Sequence, residues 1–331
     1  MKAILMTQTG SAELLELRDI PEPRLEKPTQ IKVRLRAAGV NPVDTKIRRN
    51  GLLGPGPLPA VLGCDGAGEV VEIGAGVDQF RLGDRVWFCN GGLGADPGNY
   101  AEYTVLDQRW AAPMPQSLDF EQAAAGPLVL ITAWGMLYDR GRLAAGQTVL
   151  IHAGAGGVGH VALQLAKLRG ARVLTTLGSI ENERRVRDFG ADEVINYHTE
   201  DFVAVVNRLT DGKGANLVAE MISPEVFARS IECTAHFGDL VTLLNPGLLS
   251  LAEARLRNLR IGFELMLTPM LRRLDAARDH HIHILRQCAD WIDAGRLQLH
   301  VSQTFPLAQA ASAHRQIETG HTLGKVVLKI D

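Results

Sequence analysis

The sequence predicts an α/β protein built from a β-rich N-terminal part and a doubly wound part with a parallel sheet. Three observations support this prediction. Short strand-like segments separated by Gly- and Pro-rich loops fill the first third of the chain. From about residue 121 onward, strand-like and helix-like segments alternate, as in a parallel sheet covered by helices on both faces. An apolar run, Val149–Ile151, leads directly into a glycine-rich turn and then into a helical segment.

The glycine-rich turn has the spacing of a dinucleotide-binding fingerprint. Gly154 permits the tight turn, Gly156 allows the backbone to approach a pyrophosphate, and Gly159 lets the helix pack closely on the strand. The first backbone N–H groups of the helix then face the anion, which the helix dipole also favours. We therefore predict a cofactor site at Gly154, Ala155, Gly156, Gly157, Val158 and Gly159.

The end of the second predicted strand, Arg172–Leu177, determines which dinucleotide is expected. NAD sites usually place an Asp or Glu there to bind the ribose 2′-hydroxyl, whereas this chain continues with Gly178 and Ser179. A 2′-phosphate would not be repelled by a carboxylate at that tip, Ser179 can donate to it, and Arg184 or Arg185 can reach it. Two glutamates lie nearby, and the arginines can equally belong to a solvated helix face. The sequence favours NADPH over NADH.

The remaining strands and helices are predicted from the periodicity of apolar residues. Alternating apolar and charged residues predict a half-buried strand at Ile31–Arg36. Further strands are predicted at Gly66–Gly74, Arg85–Phe88, Val194–Ile195, Leu217–Ala219, Leu240–Leu244 and Gly324–Ile330. A long helical stretch is predicted from Leu274 to Ala294.

Composition and charge exclude several classes of protein. The 331 residues suit two medium-sized domains, and a net charge of −2 without a basic block does not predict nucleic-acid binding. No apolar run is long enough to cross a bilayer, so no membrane association is expected. The first predicted strand, Met1–Met6, reaches polar residues too soon for a secretory signal, so we expect a cytoplasmic protein.

The four cysteines are scattered along the chain without paired spacing. This pattern predicts neither a disulfide framework nor a four-thiolate zinc site. We expect reduced and mostly buried thiols at Cys64, Cys89, Cys233 and Cys288.

Several motifs occur in the same order as in a known family. The chain carries Gly39–Asp44 (GVNPVD), Leu62–Gly68 (LGCDGAG) and Leu82–Val86 (LGDRV), then the glycine-rich turn, and near its end Gly324–Leu328 (GKVVL). Over essentially its full length the sequence resembles the medium-chain dehydrogenase/reductase superfamily. Within it, the sequence is most similar to the zinc-independent quinone oxidoreductase branch that includes ζ-crystallin.

This resemblance implies a domain organisation and an oligomeric state. It implies a GroES-like catalytic domain at residues 1–122, completed by residues 266–331, and a Rossmann NADPH-binding domain at residues 123–265. It further implies a homodimer formed through the edge of the Rossmann sheet. Residues 238–246 and the strand that follows them are the candidate contact.

The resemblance also allows the zinc-ligand positions of the alcohol dehydrogenases to be checked. Those enzymes place Cys, His and Glu where this chain has Asn41, Cys64 and Asp65, and a further Cys near Leu128. The lobe with four structural cysteines is missing as well, since only Cys89 lies in that region. Zinc needs three or four converging ligands, so Cys64 and Asp65 without a third ligand predict function without zinc.

The family's reaction implies four candidate catalytic residues. Hydride transfer from the nicotinamide to an already electrophilic acceptor is expected, with Asn41 donating to a developing oxyanion or holding a water. Asp44 either orients neighbouring polar groups or caps the helix that follows it. Lys46 is a candidate for contact with a carbonyl or phosphate. By resemblance Thr132 lies in the segment that lines the nicotinamide pocket, although an ordinary helix position is equally compatible.

Further cofactor contacts are implied at the ends of other strands. Tyr197 lies where the family places a residue beside the 2′-phosphate or adenine, although by itself it is typical of a strand-end aromatic residue. The strand ends that carry Leu244, Asn245 and Phe263 are expected to approach the nicotinamide.

The acceptor remains open on sequence grounds. Several quinone reductases have a tyrosine in the loop after the first helix, whereas residues 51–56 here are apolar and Gly-rich, with no obvious general acid. The leading hypothesis is an NADPH:quinone or enone reductase that acts on a small electrophilic molecule. The alternatives are a reductase of larger 2-enoyl or alkenal substrates, and a non-catalytic NADPH-binding protein with a sensing or structural role.

Overall fold

A computed structural model describes residues 1–94 and 96–331, which form two compact units. The first unit contains Met1–Val129 and Leu267–Asp331, and the second contains Leu130–Met266. The division predicted from the sequence has its junctions after residues 122 and 265. The observed division differs from it mainly at the first junction, which lies after residue 129. Residues 123–129 belong to the first unit. The helix that ends at Ala124 lies against the sheet of that unit, since a Cβ on Gly39 would be 2.3 Å from the Ala124 carbonyl oxygen.

The strands are β1 (Lys2–Met6), β2 (Leu15–Asp19), β3 (Gln30–Val40), β4 (Ala60–Val61), β5 (Asp65–Ile73), β6 (Arg85–Cys89), β7 (Tyr103–Asp107), β8 (Ala112–Pro113), β9 (Thr148–Ile151), β10 (Arg172–Leu177), β11 (Glu193–Asn196), β12 (Ala215–Glu220), β13 (Thr234–Thr242), β14 (Arg260–Phe263), β15 (Val301–Pro306) and β16 (Lys325–Lys329). The α-helices are α1 (Pro42–Asn50), α2 (Phe120–Ala124), α3 (Pro127–Trp134), α4 (Gly159–Leu168), α5 (Glu183–Asp188), α6 (Phe202–Leu209), α7 (Pro224–Ser230), α8 (Ala252–Leu256), α9 (Thr268–Arg272), α10 (Asp275–Asp293) and α11 (Ala310–Glu318). Within the described ranges, none of these helices combines the length and the apolar character that crossing a bilayer requires.

The first unit is a GroES-like β-rich fold with a larger and a smaller sheet. The larger sheet has the order β15-β16-β3-β5-β6-β8, with β7 also paired to β3, and the smaller has the order β2-β1-β4. The C-terminal strand β16 runs antiparallel to β3, with Val326 opposite Val40. This pairing places Lys325 beside the end of β3, where the chain enters α1.

The second unit is a Rossmann fold with six parallel strands in the order β11-β10-β9-β12-β13-β14. Numbered within the unit, this order is 3-2-1-4-5-6, the arrangement of two mononucleotide-binding halves. The central strand β9 carries the buried residues Val149, Leu150 and Ile151 directly before the glycine-rich turn. Strand β10 matches its predicted bounds, Arg172–Leu177.

The strand predicted at 240–244 is wrong at both ends, because β13 begins at Thr234 and ends at Thr242. The reason for the end at Thr242 lies in two hydrogen bonds, one to a neighbouring strand and one local: the Leu243 N–H donates to the Glu220 carbonyl of β12 at 3.2 Å, and the Leu244 N–H donates to Thr242 Oγ1 at 3.1 Å. Leu244 and Asn245 therefore lie in the loop after the strand.

Candidate active site

Asn41 and Asp44 lie together where β3 ends and α1 begins. Asn41 is the N-cap of α1, and Pro42 occupies the first helical position, where its missing N–H costs no hydrogen bond. The Asn41 backbone N–H donates to Asp44 Oδ2 at 2.8 Å. Because α1 begins at Pro42, Asp44 is the third helical residue and not the N-cap. Both side chains are fully buried.

The Asn41 side chain is held between a carboxylate and an amine. Its Nδ2 donates to Asp65 Oδ2 at 2.8 Å, and its Oδ1 accepts a short hydrogen bond from Lys325 Nζ. Lys325 Nζ also donates to the Val40 carbonyl at 3.0 Å and lies 3.9 Å from Asp65 Oδ2. Asp65 Oδ1 accepts from the Leu128 N–H at 2.8 Å.

Lys325 and Asp65 act as a buried ion pair. Burial disfavours the charged form of both groups, and so it raises the pKa of Asp65 and lowers the pKa of Lys325. However, the two groups face each other, and both oxygens of Asp65 accept hydrogen bonds from N–H donors. This pattern of donors and acceptors fits a carboxylate opposite an ammonium group.

Asp44 extends the buried polar network toward α11. Its Oδ2 accepts from the Tyr100 hydroxyl at 3.0 Å, and that hydroxyl lies 3.3 Å from His314 Nε2. Burial raises the pKa of Asp44 to about 7 and lowers the pKa of His314 to about 3. Asp44 is therefore a carboxyl group whose charge changes near neutral pH.

The other two predicted catalytic residues lie elsewhere. Lys46 is on α1, but its side chain is exposed, unlike those of Asn41 and Asp44. Thr132 is a buried residue of α3 and belongs to the second unit. The structure therefore brings Asn41 and Asp44 into one network and leaves Lys46 outside it.

In the second unit, the glycine-rich turn connects β9 to α4. A Cβ on Gly154 would lie 2.2 Å from Thr175 Oγ1, and one on Gly159 would lie 2.1 Å from the Ala153 carbonyl oxygen. The protein's own packing therefore requires these two glycines. A Cβ on Gly156 would meet only the Ala153 carbonyl oxygen, at 3.3 Å. Space remains at Gly156, so the turn fits a bound pyrophosphate.

The remaining cofactor candidates lie at the C-terminal ends of the parallel strands, where doubly wound sheets bind ligands. Gly178 and Ser179 follow β10, and a Cβ on Gly178 would be 2.2 Å from the Tyr197 hydroxyl. Arg184 is exposed on α5. At the other end of the sheet, Leu244 and Asn245 follow β13, and Phe263 ends β14 with its side chain exposed.

Several buried polar residues are missing from the sequence-based candidates, among them Tyr100 and His314 beside Asp44. Glu220 ends β12 with its carboxylate buried, and a polar residue at the end of a parallel strand is a signal that could have identified it. His152 lies between β9 and the glycine-rich turn, two residues before Gly154. Lys325 is part of the GKVVL motif, but nothing in the motif itself shows that its side chain reaches Asn41.

The side chains at the family's zinc-ligand positions do not form a zinc site. The oxygens of Asn41 and Asp65 face the Lys325 amine, which repels a cation when charged. A hydrogen bond with the Cys89 side chain, together with burial, raises the pKa of the Cys64 thiol, whereas zinc binds thiolate. Among the residues that the structure describes, no three His, Cys, Asp or Glu side chains converge as metal ligands.

Comparisons with known proteins agree with both units. The model of the alcohol dehydrogenase GroES-like domain matches residues 27–116, and that of the zinc-binding dehydrogenases matches residues 189–328. A quinone oxidoreductase from Pseudomonas aeruginosa is 35% identical over 99% of both chains, and a 2-haloacrylate reductase from Burkholderia sp is 32% identical over 91% of both. The crystal structure of Escherichia coli quinone oxidoreductase complexed with NADPH has a TM-score of 0.88 at 29% identity, covering 99% of this chain and 100% of that one.

A chain that contains both a GroES-like unit and a Rossmann unit is typical of oxidoreductases of the alcohol dehydrogenase type. The chain belongs to the medium-chain dehydrogenase/reductase superfamily, in its quinone oxidoreductase branch. It is a quinone oxidoreductase-like enzyme.

Proposed function

We propose that this enzyme uses NADPH, without zinc, to reduce a quinone or a similar acceptor whose carbonyl is conjugated. One observation carries the proposal: the buried Asn41 amide is fixed by Asp65 and Lys325 at a position where alcohol dehydrogenases carry a zinc ligand. An amide with an N–H to spare can stabilise an oxyanion but cannot replace a Lewis acid. Acceptors that are already electrophilic suit this chemistry.

Each proposed residue has a limited role in the reaction. Bound NADPH supplies the hydride. Asn41 donates through Nδ2 to the acceptor oxygen, on which negative charge develops. Asp44 holds the Asn41 backbone through its 2.8 Å hydrogen bond. Lys46 and Thr132 stay candidates for contacts with substrate and cofactor.

The direct test is NADPH oxidation with 9,10-phenanthrenequinone, followed by absorbance in the presence and absence of a chelator. We expect turnover that the chelator does not change, and a loss of about 100-fold in kcat for Asn41→Ala, the effect of removing one oxyanion donor. Asn50→Ala, an exposed position at the end of α1, serves as the matched control. Tight NADPH binding without turnover of any acceptor would contradict the proposal and favour a sensing role.

Reduction of an activated double bond is the second candidate. It is supported by the similarity to a 2-haloacrylate reductase and by residues 51–56, which carry no aromatic side chain on which a quinone could stack. Parallel assays with an alkenal and with the quinone distinguish the two candidates through the ratio of their kcat/KM values. A ratio that favours the alkenal assigns the enzyme to double-bond reduction.

We also propose a homodimer formed through β14, the last strand of the Rossmann sheet. Exposed apolar side chains near this edge support it, including Phe237, Phe263 and Leu265. An apolar sheet edge tends to pair with another chain. Light scattering after gel filtration is expected to give twice the mass of one chain, and a single-chain mass would contradict the proposal.

A further inference from the structure

Lys325 is a lysine at a site where lysines are rarely found. Its side chain is 3% exposed, and lysine is almost never fully buried unless it is paired. The backbone fixes its position: Gly324 has φ +66°, and a Cβ there would lie 2.3 Å from the His300 carbonyl oxygen. The Lys325 N–H donates to that same carbonyl at 2.9 Å. The lysine stem is therefore held at the start of β16 and extends into the buried network.

The contacts of Lys325 determine which way the Asn41 amide is oriented. An asparagine side chain has two nearly isosteric orientations that exchange its oxygen and nitrogen. Lysine only donates and a carboxylate only accepts, so Oδ1 faces Lys325 and Nδ2 faces Asp65. The reversed amide would place NH₂ against the amine and oxygen against the carboxylate. Two oppositely charged groups on either side thus select one orientation.

This orientation leaves one donor uncommitted. Nδ2 has two N–H groups, and one of them binds Asp65. Among the described residues, 1–94 and 96–331, the bond to Asp65 is the one hydrogen bond that Nδ2 donates. We propose that Lys325 is a positioning residue that fixes the Asn41 amide, so that this second N–H is presented to the acceptor's carbonyl oxygen. This inference rests on the proposed function, since it names the group that orients the proposed donor.

The contacts of Lys325 also explain why this site differs from the zinc sites of the family. Two of the positions that carry zinc ligands in alcohol dehydrogenases, Asn41 and Asp65, face the lysine instead. Its charge offsets the buried carboxylate as a metal ion would. A lysine cannot bind the acceptor through an open coordination position, so it acts only through the amide that it orients.

The test uses Lys325→Met, which keeps an unbranched side chain and removes every donor. The matched control is Lys329→Met, on the same strand but exposed. We expect Lys325→Met to lower kcat/KM for the quinone by about 100-fold, the cost of a misplaced catalytic group. The NADPH dissociation constant should stay within twofold of wild type, because the glycine-rich turn lies in the other unit. A variant that is merely misfolded would lose quinone reduction and NADPH binding together.

Several outcomes would overturn the inference. A kcat/KM within threefold of wild type for folded Lys325→Met does so directly. If that variant does not fold because Asp65 is left unpaired, the double variant with Asp65→Asn removes both buried charges. Because Asp65 also holds Nδ2, the double variant is compared with Asp65→Asn alone, and a kcat/KM within threefold of that single variant overturns the inference.

A failure of the proposed function can be told apart by a binding measurement. If the wild type does not oxidise NADPH with any acceptor, quinone binding to the NADP⁺-loaded protein is measured by fluorescence. About tenfold weaker binding by Lys325→Met than by wild type and Lys329→Met supports the positioning role without turnover. Equal binding, or no quinone binding by the wild type, overturns it.

Discussion

The carboxylate of Glu220 accepts a hydrogen bond from Thr242 Oγ1 at 2.6 Å and so links the C-terminal ends of β12 and β13. Its other oxygen accepts from the Ser223 N–H at 2.9 Å, in the loop that leads into α7. Thr242 Oγ1 in turn accepts from the Leu244 N–H at 3.1 Å. One buried carboxylate therefore organises two loops at the edge of the sheet where a dinucleotide is expected to bind.

Glu220→Gln is expected to weaken NADPH binding about tenfold. Glutamine has only one accepting atom on its amide, so it cannot accept from the loop N–H groups and from Thr242 together. A lost hydrogen bond to a charged group costs roughly 1.5–3 kcal/mol, and the loop that carries Leu244 should lose its fixed position. Titration of protein fluorescence with NADPH measures the change. Glu232→Gln, an exposed position in the same unit, is the control, and equal affinities for the two variants would contradict the prediction.

Gly156→Ala is expected to remove cofactor binding while leaving the fold intact. A Cβ there would have only one close neighbour, at 3.3 Å, so the melting temperature should stay close to that of wild type. The added methyl group would instead occupy the space that the pyrophosphate needs. Gly159→Ala, whose Cβ would lie 2.1 Å from the Ala153 carbonyl oxygen, should lose stability as well. Calorimetry of unfolding and of NADPH titration tests both, and tight binding by Gly156→Ala would contradict a pyrophosphate at this turn.

The parts of the fold set by local patterns could be predicted from the sequence. The strand predicted at Arg172–Leu177 is confirmed. It could be predicted because its run of apolar and β-branched residues is bounded by residues that interrupt a strand. The long helical stretch expected at 274–294 is confirmed as α10 over Asp275–Asp293. Periodicity of this kind depends only on near neighbours in the sequence.

The parts of the site set by long-range contacts could not be predicted. Lys325 contacts Asn41 across 284 positions of the chain, because β16 returns to pair with β3. The end of β13 at Thr242 depends on hydrogen bonds with Glu220, a residue of another strand. Such partners follow from tertiary pairing, which the apolar pattern does not encode.

Arg184→Ala is expected to weaken NADPH binding about tenfold and to leave NADH binding unchanged. The 2′-phosphate is the group that distinguishes the two cofactors, and a charge-assisted hydrogen bond to it is worth about 1.5–3 kcal/mol. Arg187→Ala removes an exposed arginine of the same helix that is paired with Glu183, and it serves as the control. The measurement is the dissociation constant of each variant and of wild type for NADPH and for NADH. A parallel loss for NADPH and NADH in Arg184→Ala would contradict a phosphate contact.

His152 is a buried neutral histidine whose replacement should change how stability depends on pH. Its Nε2 lies 3.1 Å from Ser230 Oγ, and its Nδ1 lies 3.2 Å from Thr176 Oγ1. Ser230 Oγ donates to the Val226 carbonyl at 2.7 Å, so it accepts from His152, and Nε2 therefore carries the proton. Burial lowers the pKa of His152 from 6.5 to about 3.

The sign of the pH effect follows from this depressed pKa. Below pH 6.5 the unfolded chain binds a proton at this histidine that the folded protein does not, so the stabilisation is complete above 6.5 and is lost as the pH falls toward 3. His152→Gln cannot titrate, and its deficit in unfolding free energy relative to wild type should shrink by about 1.4 kcal/mol per pH unit below 6.5. Denaturant unfolding at pH 7 and pH 5 measures a change of about 2 kcal/mol. Ser230→Ala removes the hydrogen-bond partner but keeps the histidine, so its deficit should vary far less with pH. A deficit for His152→Gln that is equal at the two pH values would show that the pKa of His152 is not lowered in the folded protein.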